Sequence, residues 1–206
     1  MATFNGWTIV VPPASPAAPA TIDFTLQDIV ASVDNPFTGA QQFQDWQTSF
    51  IEASVSMPPL TAKQAPAWIA FLMSLRGSLN VFQLGDPLRT APQGSGAGSP
   101  AVNGANQTGY SLLTKGWTAS AAGVLLPGDW LQIGYRLYSN LAIVNADGSG
   151  GATLSIWPQL RESPADSDAI ILNNTKGLFR LAANTRKFSE AANRTYGMQF
   201  EIREAL

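Results

Sequence analysis

Residues 50–84 read Phe50-Ile-Glu-Ala-Ser-Val-Ser-Met57, then Pro58-Pro59, then Leu60-Thr-Ala-Lys-Gln-Ala-Pro-Ala-Trp-Ile-Ala-Phe-Leu-Met-Ser-Leu-Arg-Gly77, and close on Asn80-Val-Phe-Gln-Leu84. The first octapeptide alternates: Ile51, Ala53, Val55 and Met57 point one way, and Glu52, Ser54 and Ser56 the other. That period of two marks a strand with one buried face. Two prolines stop it, because proline lacks the N–H that a ladder needs. Thr61 followed three residues later by Gln64 has the spacing of a capping box. Trp68, Phe71, Leu72 and Leu75 then recur at helical spacing. Arg76-Gly77 supplies a last-turn cation and a glycine past the helix end. Pro66 suits a first turn, so the regular helix is expected to begin nearer Ala65 than Thr61. The unit reads strand–helix–strand.

Working outward, the C-terminus shows the same alternation: Tyr196, Met198, Phe200 and Ile202 oppose Gly197, Gln199, Glu201 and Arg203. Two strands so alike are expected in one sheet. The first domain would then be discontinuous, residues 1–92 with 183–206, and residues 93–182 would be an insertion. Residues 91–107 are mostly Ala, Pro, Gly, Ser, Asn and Gln, which predicts a flexible loop or a domain crossing. Beyond them lie short strand-like segments: Tyr110 to Ala119, Val124 to Ile133 around the bend Pro127-Gly128-Asp129, Tyr135 to Val144, Ala152 to Trp157, Ala169 to Leu172 and Gly177 to Leu181. Asp147-Gly-Ser-Gly-Gly151 is a hairpin signal. Five or so short strands fit a small barrel, such as an OB-like fold, or a small sandwich. Towards the N-terminus, residues 10–20 are too rich in proline for a helix or central strand, and should run extended as an arm.

Composition narrows the chemistry. The 206 residues contain no His and no Cys, which removes histidine-based triads, thiolate nucleophiles and cysteine zinc sites. Charged residues are 13% of the chain, about half the usual share of ~25%, as expected of a surface that meets other protein. A net charge of −2 offers no general attraction to nucleic acid or anionic membrane. No stretch approaches the ~20 apolar residues of a spanning helix, and the first 62 residues contain no Lys or Arg, so a secretory n-region is lacking. The expectation is a protein soluble and intracellular when made. Those 62 residues carry Asp23, Asp28, Asp34, Asp45 and Glu52, whereas residues 175–206 carry six cations against three carboxylates. Such asymmetry suits surfaces that meet head to tail between copies.

Candidate reactive groups are few. Asp147 to Gly151 has one carboxylate where a calcium loop needs several. Gly94-Ser-Gly-Ala-Gly98 lacks the lysine of a phosphate loop. Asp166 and Asp168 lie in a polar stretch, where solvation is the ordinary fate of a carboxylate. Trp117, Trp130, Tyr135, Tyr138 and Trp157 crowd the second unit as core, or else as a stacking platform for sugar or single strands. Lys115, Arg136 and Arg161 are too few for a nucleic-acid groove. No catalytic, cofactor-binding or metal-binding residue is assigned.

Several runs, taken together, resemble a known family. They are Trp46 to Pro87, with Phe50 to Leu60, Ala67-Trp-Ile-Ala-Phe-Leu72, Leu75-Arg-Gly77 and Phe82-Gln-Leu-Gly-Asp-Pro87; then Leu126-Pro-Gly-Asp-Trp-Leu-Gln-Ile-Gly134, Ile156-Trp-Pro158 and Lys176-Gly-Leu-Phe-Arg-Leu181. In order and spacing these resemble tail proteins of tailed phages, in particular the distal tail protein, over most of residues 35–206. Pro66 departs from the pattern, which bears on the helix start. The resemblance implies a mainly β protein: a tail-tube-like β-sandwich or barrel domain with one helix, interrupted by an OB-like or galectin-like small barrel. It implies a structural, non-enzymatic subunit of a hexameric ring in the virion, between the tail tube protein and the tail tip, hub or fibre proteins, with DNA passing through the lumen. The cation-free residues 1–62 would line that lumen. The alternatives are another tail hub or adaptor, and a carbohydrate-binding module in which the second domain grips a host polysaccharide.

Overall fold

A computed structural model describes residues 2–13, 19–192 and 194–206. The chain is mainly β, 47% strand, with one helix among the described residues. No helix among them is long and apolar enough to cross a membrane. Of the expected proline-rich arm, residues 14–18 lie outside the described residues. The chain divides into two compact units: residues 1–25, 51–88 and 176–206 form one, and residues 26–50 with 89–175 form the other.

The first unit is built on a mixed sheet. The sheet's strands are β1 (Thr3–Phe4), β2 (Trp7–Val10), β3 (Thr21–Asp34), β4 (Gln41–Ser56), β5 (Leu60–Thr61), β6 (Val81–Leu84), β13 (Gly177–Leu181), β14 (Lys187–Glu190) and β15 (Thr195–Glu204), of which β3 and β4 belong to the first unit only at residues 21–25 and 51–56. The order is β1-β2-β6-β13-β15-β4-β3, with β14 and β5 also on β15; β2 and β6 are parallel. The two alternating segments of the sequence are neighbours, Phe200 opposite Val55 and Ile202 opposite Ala53, and these four side chains are buried. Against that face packs α1 (Ala65–Ser74), which starts where Pro66 fits its first turn. Trp68 meets Phe71 edge-on at 5.6 Å, and Phe71 meets Phe82 of β6 at 5.3 Å. Each such pair adds about 0.5–1.5 kcal/mol beyond the area it buries.

The helix ends differ from the expected caps. Thr61 N–H and Oγ1 both bond Gln64 Oε1 at 3.0 Å, but Gln64 itself is the N-cap residue, so the pair braces the preceding turn and not the helix start. At the other end Leu75 is the C-cap, so Arg76 lies beyond the last turn at φ +51° and Gly77 follows at +72°. A Cβ on Gly77 would stand 2.5 Å from Asn184 Oδ1, which accepts from Ser78 N–H. Close approach, as well as φ, requires glycine here.

The second unit holds an almost closed antiparallel barrel. Its strands are β7 (Gly98–Val102), β8 (Ser111–Trp117), β9 (Trp130–Ile133), β10 (Arg136–Asn140), β11 (Ala152–Trp157) and β12 (Ile170–Ile171). They run in the order β12-β9-β10-β11-β8-β7, and a bridge from Ala101 to Ala169 brings the two ends together. Leu112, Leu125, Leu131, Tyr138, Leu154 and Ile156 are among the side chains filling the interior. Closure leaves few unpaired strand edges.

Five expectations are corrected. The barrel has six strands, where five or so were expected. Residues 91–107 hold β7, so they are not only a loop. A strand from Tyr135 to Val144 stops at Asn140, whose Nδ2 donates to the Leu126 carbonyl at 3.0 Å. The boundary expected at 182/183 falls at 175/176, because β13 pairs with β6 and β15 in the first unit's sheet. Residues 26–50, expected in the first domain, group with the barrel.

Candidate functional site

The residues proposed for chemistry turn out to hold loops. Asp147 Oδ1 accepts from Ser149 N–H, Ser149 Oγ and Gly151 N–H at 2.7–2.8 Å. Those donors, Gly151 N–H first, hold its carboxyl below the usual range. Asp166 takes Lys115 Nζ and Gly104 N–H at 2.7 Å and Ser167 Oγ at 3.0 Å, and with the lysine as the largest cause its pKa falls to about 2. Asp168 accepts from Ala165 N–H at 2.8 Å. Among the described residues no three acidic side chains gather as metal ligands would. Gly94 is where it is because the chain passes close to Val124 and Leu125: a Cβ would lie 2.5 Å from the Val124 carbonyl oxygen.

The aromatic platform is not formed. Trp117 and Tyr138 are buried, Trp117 giving its indole N–H to Thr114 Oγ1 at 2.7 Å, and Trp130, Tyr135 and Trp157 are half-buried. Flat sugar recognition needs exposed rings, and two of these five are buried and three half-buried. The barrel cations are engaged too: Arg136 with Glu162 at 2.6 Å, Lys115 with Asp166, and Arg161 with the Ser49 carbonyl.

A buried carboxylate that sequence reading treated only as part of a bend organises the barrel rim. Asp129, 2% exposed, accepts from Gln93, Gly94 and Leu126 N–H at 2.7–3.1 Å. One side chain therefore satisfies three loop donors that burial would otherwise strand.

The surface that stands out is β3 and β4, a hairpin that sequence analysis left unread before Phe50. Its turn is Asn35 to Ala40: Asn35 N–H bonds the Ala40 carbonyl at 2.8 Å, and Asn35 Oδ1 accepts from Phe37 N–H at 2.9 Å. Asn-Pro with a glycine at 39 was the available turn signal. From residue 25 to 47 every side chain is exposed, including Leu26, Ile29, Val30, Val33, Phe43, Trp46 and, 95% open, Phe37. The same ribbon carries Asp28, Asp34 and Asp45 and no cation. β3 ends the sheet order. A long, apolar, unprotected edge is what soluble monomers avoid.

Apolar positions along the hairpin change phase. Ile22, Phe24 and Leu26 are even-numbered, whereas Ile29, Ala31 and Val33 are odd. A one-residue slip in a period-two pattern exchanges the faces. Separately, between the end bonds, Asn35 N–H to the Ala40 carbonyl and Ala20 N–H to the Ser56 carbonyl, the first arm steps fifteen residues and the second sixteen, so the second arm carries one extra residue. The extra residue coincides with Gln47, at φ +51° inside β4, whose N–H bonds Asp45 Oδ1 at 2.7 Å. This is a β-bulge.

In the first unit the cations gather near the C-terminus. Lys187 is exposed on β14, a strand that pairs with β15. Arg180 stacks on Trp7 at 4.3 Å, and burial pushes its guanidinium below the usual value. No protein-family model matches the chain, and a search of curated proteins returns no match.

Proposed function

We propose that this chain is a structural subunit of the ring at the distal end of a phage tail, joining the tail tube to the tail tip or hub around the DNA channel. The observation that carries it is the exposed, apolar, cation-free hairpin on the free edge of the sheet. Burying its seven large side chains, at about 1.5–3 kcal/mol each, would contribute roughly 10–20 kcal/mol gross. That is the size needed to offset an association cost of about 4–15 kcal/mol. The hairpin carries Asp28, Asp34 and Asp45 and no cation, whereas residues 176–194 carry five cations, opposite signs that a head-to-tail contact between copies could pair. Six-fold closure, the tail-tube-like description of the sheet and the OB-like or galectin-like description of the barrel belong to this reading and come from the ordered motifs at 46–87, 126–134, 156–158 and 176–181.

In this reading the partners are further copies of the chain, the tail tube protein and the tip, hub or fibre proteins, and the location is the virion. Acidic groups on the hairpin would let a polyanion slide past without sticking. Size-exclusion chromatography with light scattering, followed by negative-stain imaging, tests it. An annulus of six 21.9-kDa subunits is expected, alone or with the tail tube protein added. A strict monomer under both conditions, up to millimolar concentration, would overturn it.

A further inference from the structure

The hairpin is tied to the barrel at the level of Gln47. From the end of β11 the chain runs Trp157-Pro-Gln-Leu-Arg161, with Pro158 and Leu160 buried and Leu160 in the barrel core. The alternate residues Trp157, Gln159 and Arg161 are half-buried, and each gives a hydrogen bond to the hairpin. Trp157 Nε1 donates to Asp28 Oδ1 at 2.9 Å, Gln159 Nε2 donates to the Gln47 carbonyl, and Arg161 Nη2 donates to the Ser49 carbonyl. Three donors two residues apart in sequence thus meet Asp28, Gln47 and Ser49, at the level of the residue with φ +51°. Beyond them, residues 29–46 are exposed throughout.

We infer that Trp157, Gln159 and Arg161 are positioning residues for assembly: they lock the bulge at Gln47 and so set the direction in which residues 29–46 project toward the neighbouring copy. A bulge bends its strand and raises the local twist, so without a strap the free ribbon would sample a range of directions. A ring contact needs one. Holding the arm in its docking direction before contact removes the ordering cost from association. The inference rests on the ring reading for its partner, and on this chain alone for the strap.

The test uses the full-length chain with Gln159→Ala/Arg161→Ala, and Arg161→Lys as the conservative variant. Amide hydrogen exchange is read on peptides spanning 28–49 and on the barrel strands, and assembly by light scattering across a concentration series. Expected are exchange at least tenfold faster in 28–49, barrel strands as in the wild type, and a midpoint concentration for assembly at least tenfold higher, with Arg161→Lys restoring part of both. Unchanged exchange in 28–49 would overturn the strap. Faster exchange with wild-type assembly would overturn the positioning role. If the double variant loosens the barrel as well, Gln159→Ala alone, which leaves every barrel core side chain in place, takes the same readings. A wild-type chain that never assembles sinks the ring reading while the exchange comparison still decides the strap.

Discussion

The barrel and the hairpin are made of the same kind of strand and solve opposite problems. In the barrel, β7 to β12 pair around almost the full circle, its carboxylates Asp129, Asp147 and Asp166 are occupied by loop donors, and its interior is filled by aliphatic side chains. In the hairpin, β3 has one neighbour, its apolar groups face outward, and no cation accompanies its aspartates. A closed sheet satisfies its edges internally, whereas an open one leaves them to whatever it meets.

The contrast can be broken most forcefully from the barrel side. Leu154→Ala removes a fully buried side chain and should cost about 2–5 kcal/mol in urea unfolding. A loss below ~1 kcal/mol would mean the interior is not close-packed. Next comes Asp129→Ala, which leaves three loop N–H groups without their acceptor and should cost about 1–3 kcal/mol, with faster exchange at Gln93, Gly94 and Leu126. On the hairpin side, Val33→Thr with Phe37→Ser should change monomer stability by less than about 0.5 kcal/mol, because neither side chain is packed. The same pair should abolish higher-order species in sedimentation; unchanged sedimentation would move the interface elsewhere.

The smallest effect is electrostatic. Asp166 is held to a pKa of about 2 by Lys115 and its loop donors, against 3.8 ordinarily. A depressed carboxylate stabilises the fold above its unfolded pKa and loses that contribution as pH falls. Between about pH 4 and 2, wild type should therefore lose slightly more stability than Asp166→Asn. Acid titrations of the two that superimpose would show the ion pair to be fully screened.

Sequence made the first unit readable where one face is buried. Ile51, Ala53 and Val55, and Met198, Phe200 and Ile202, alternate because a core sits on one side only. Proline fixed the helix start to within the first turn. The hairpin escaped because its alternation serves no internal core and changes phase between Leu26 and Ile29, so neither period registers over the whole strand. β13 was assigned to the wrong unit because Gly177 to Leu181 is equally apolar beside either. β14, with Lys187, Phe188, Ser189 and Glu190 all exposed, has no burial pattern to read. For the candidate site, the individual carboxylates and aromatics were visible in sequence, but their occupation by backbone donors depends on loops that only the fold brings together.

The pairing of Leu84 with Gly177 has a further consequence. These residues are joined by most of the second unit, yet they face each other as the two sides of an ordinary hairpin would. Closing a free loop of that length costs about 4 kcal/mol of chain entropy. Within the second unit Asn174 N–H bonds the Thr90 carbonyl at 2.7 Å, so the folding of that unit would bring the two ends of the connection together and β6 and β13 would meet as near neighbours. The barrel then acts as an enlarged turn, a cassette that could be exchanged for a tight connection while the sheet around it keeps its register.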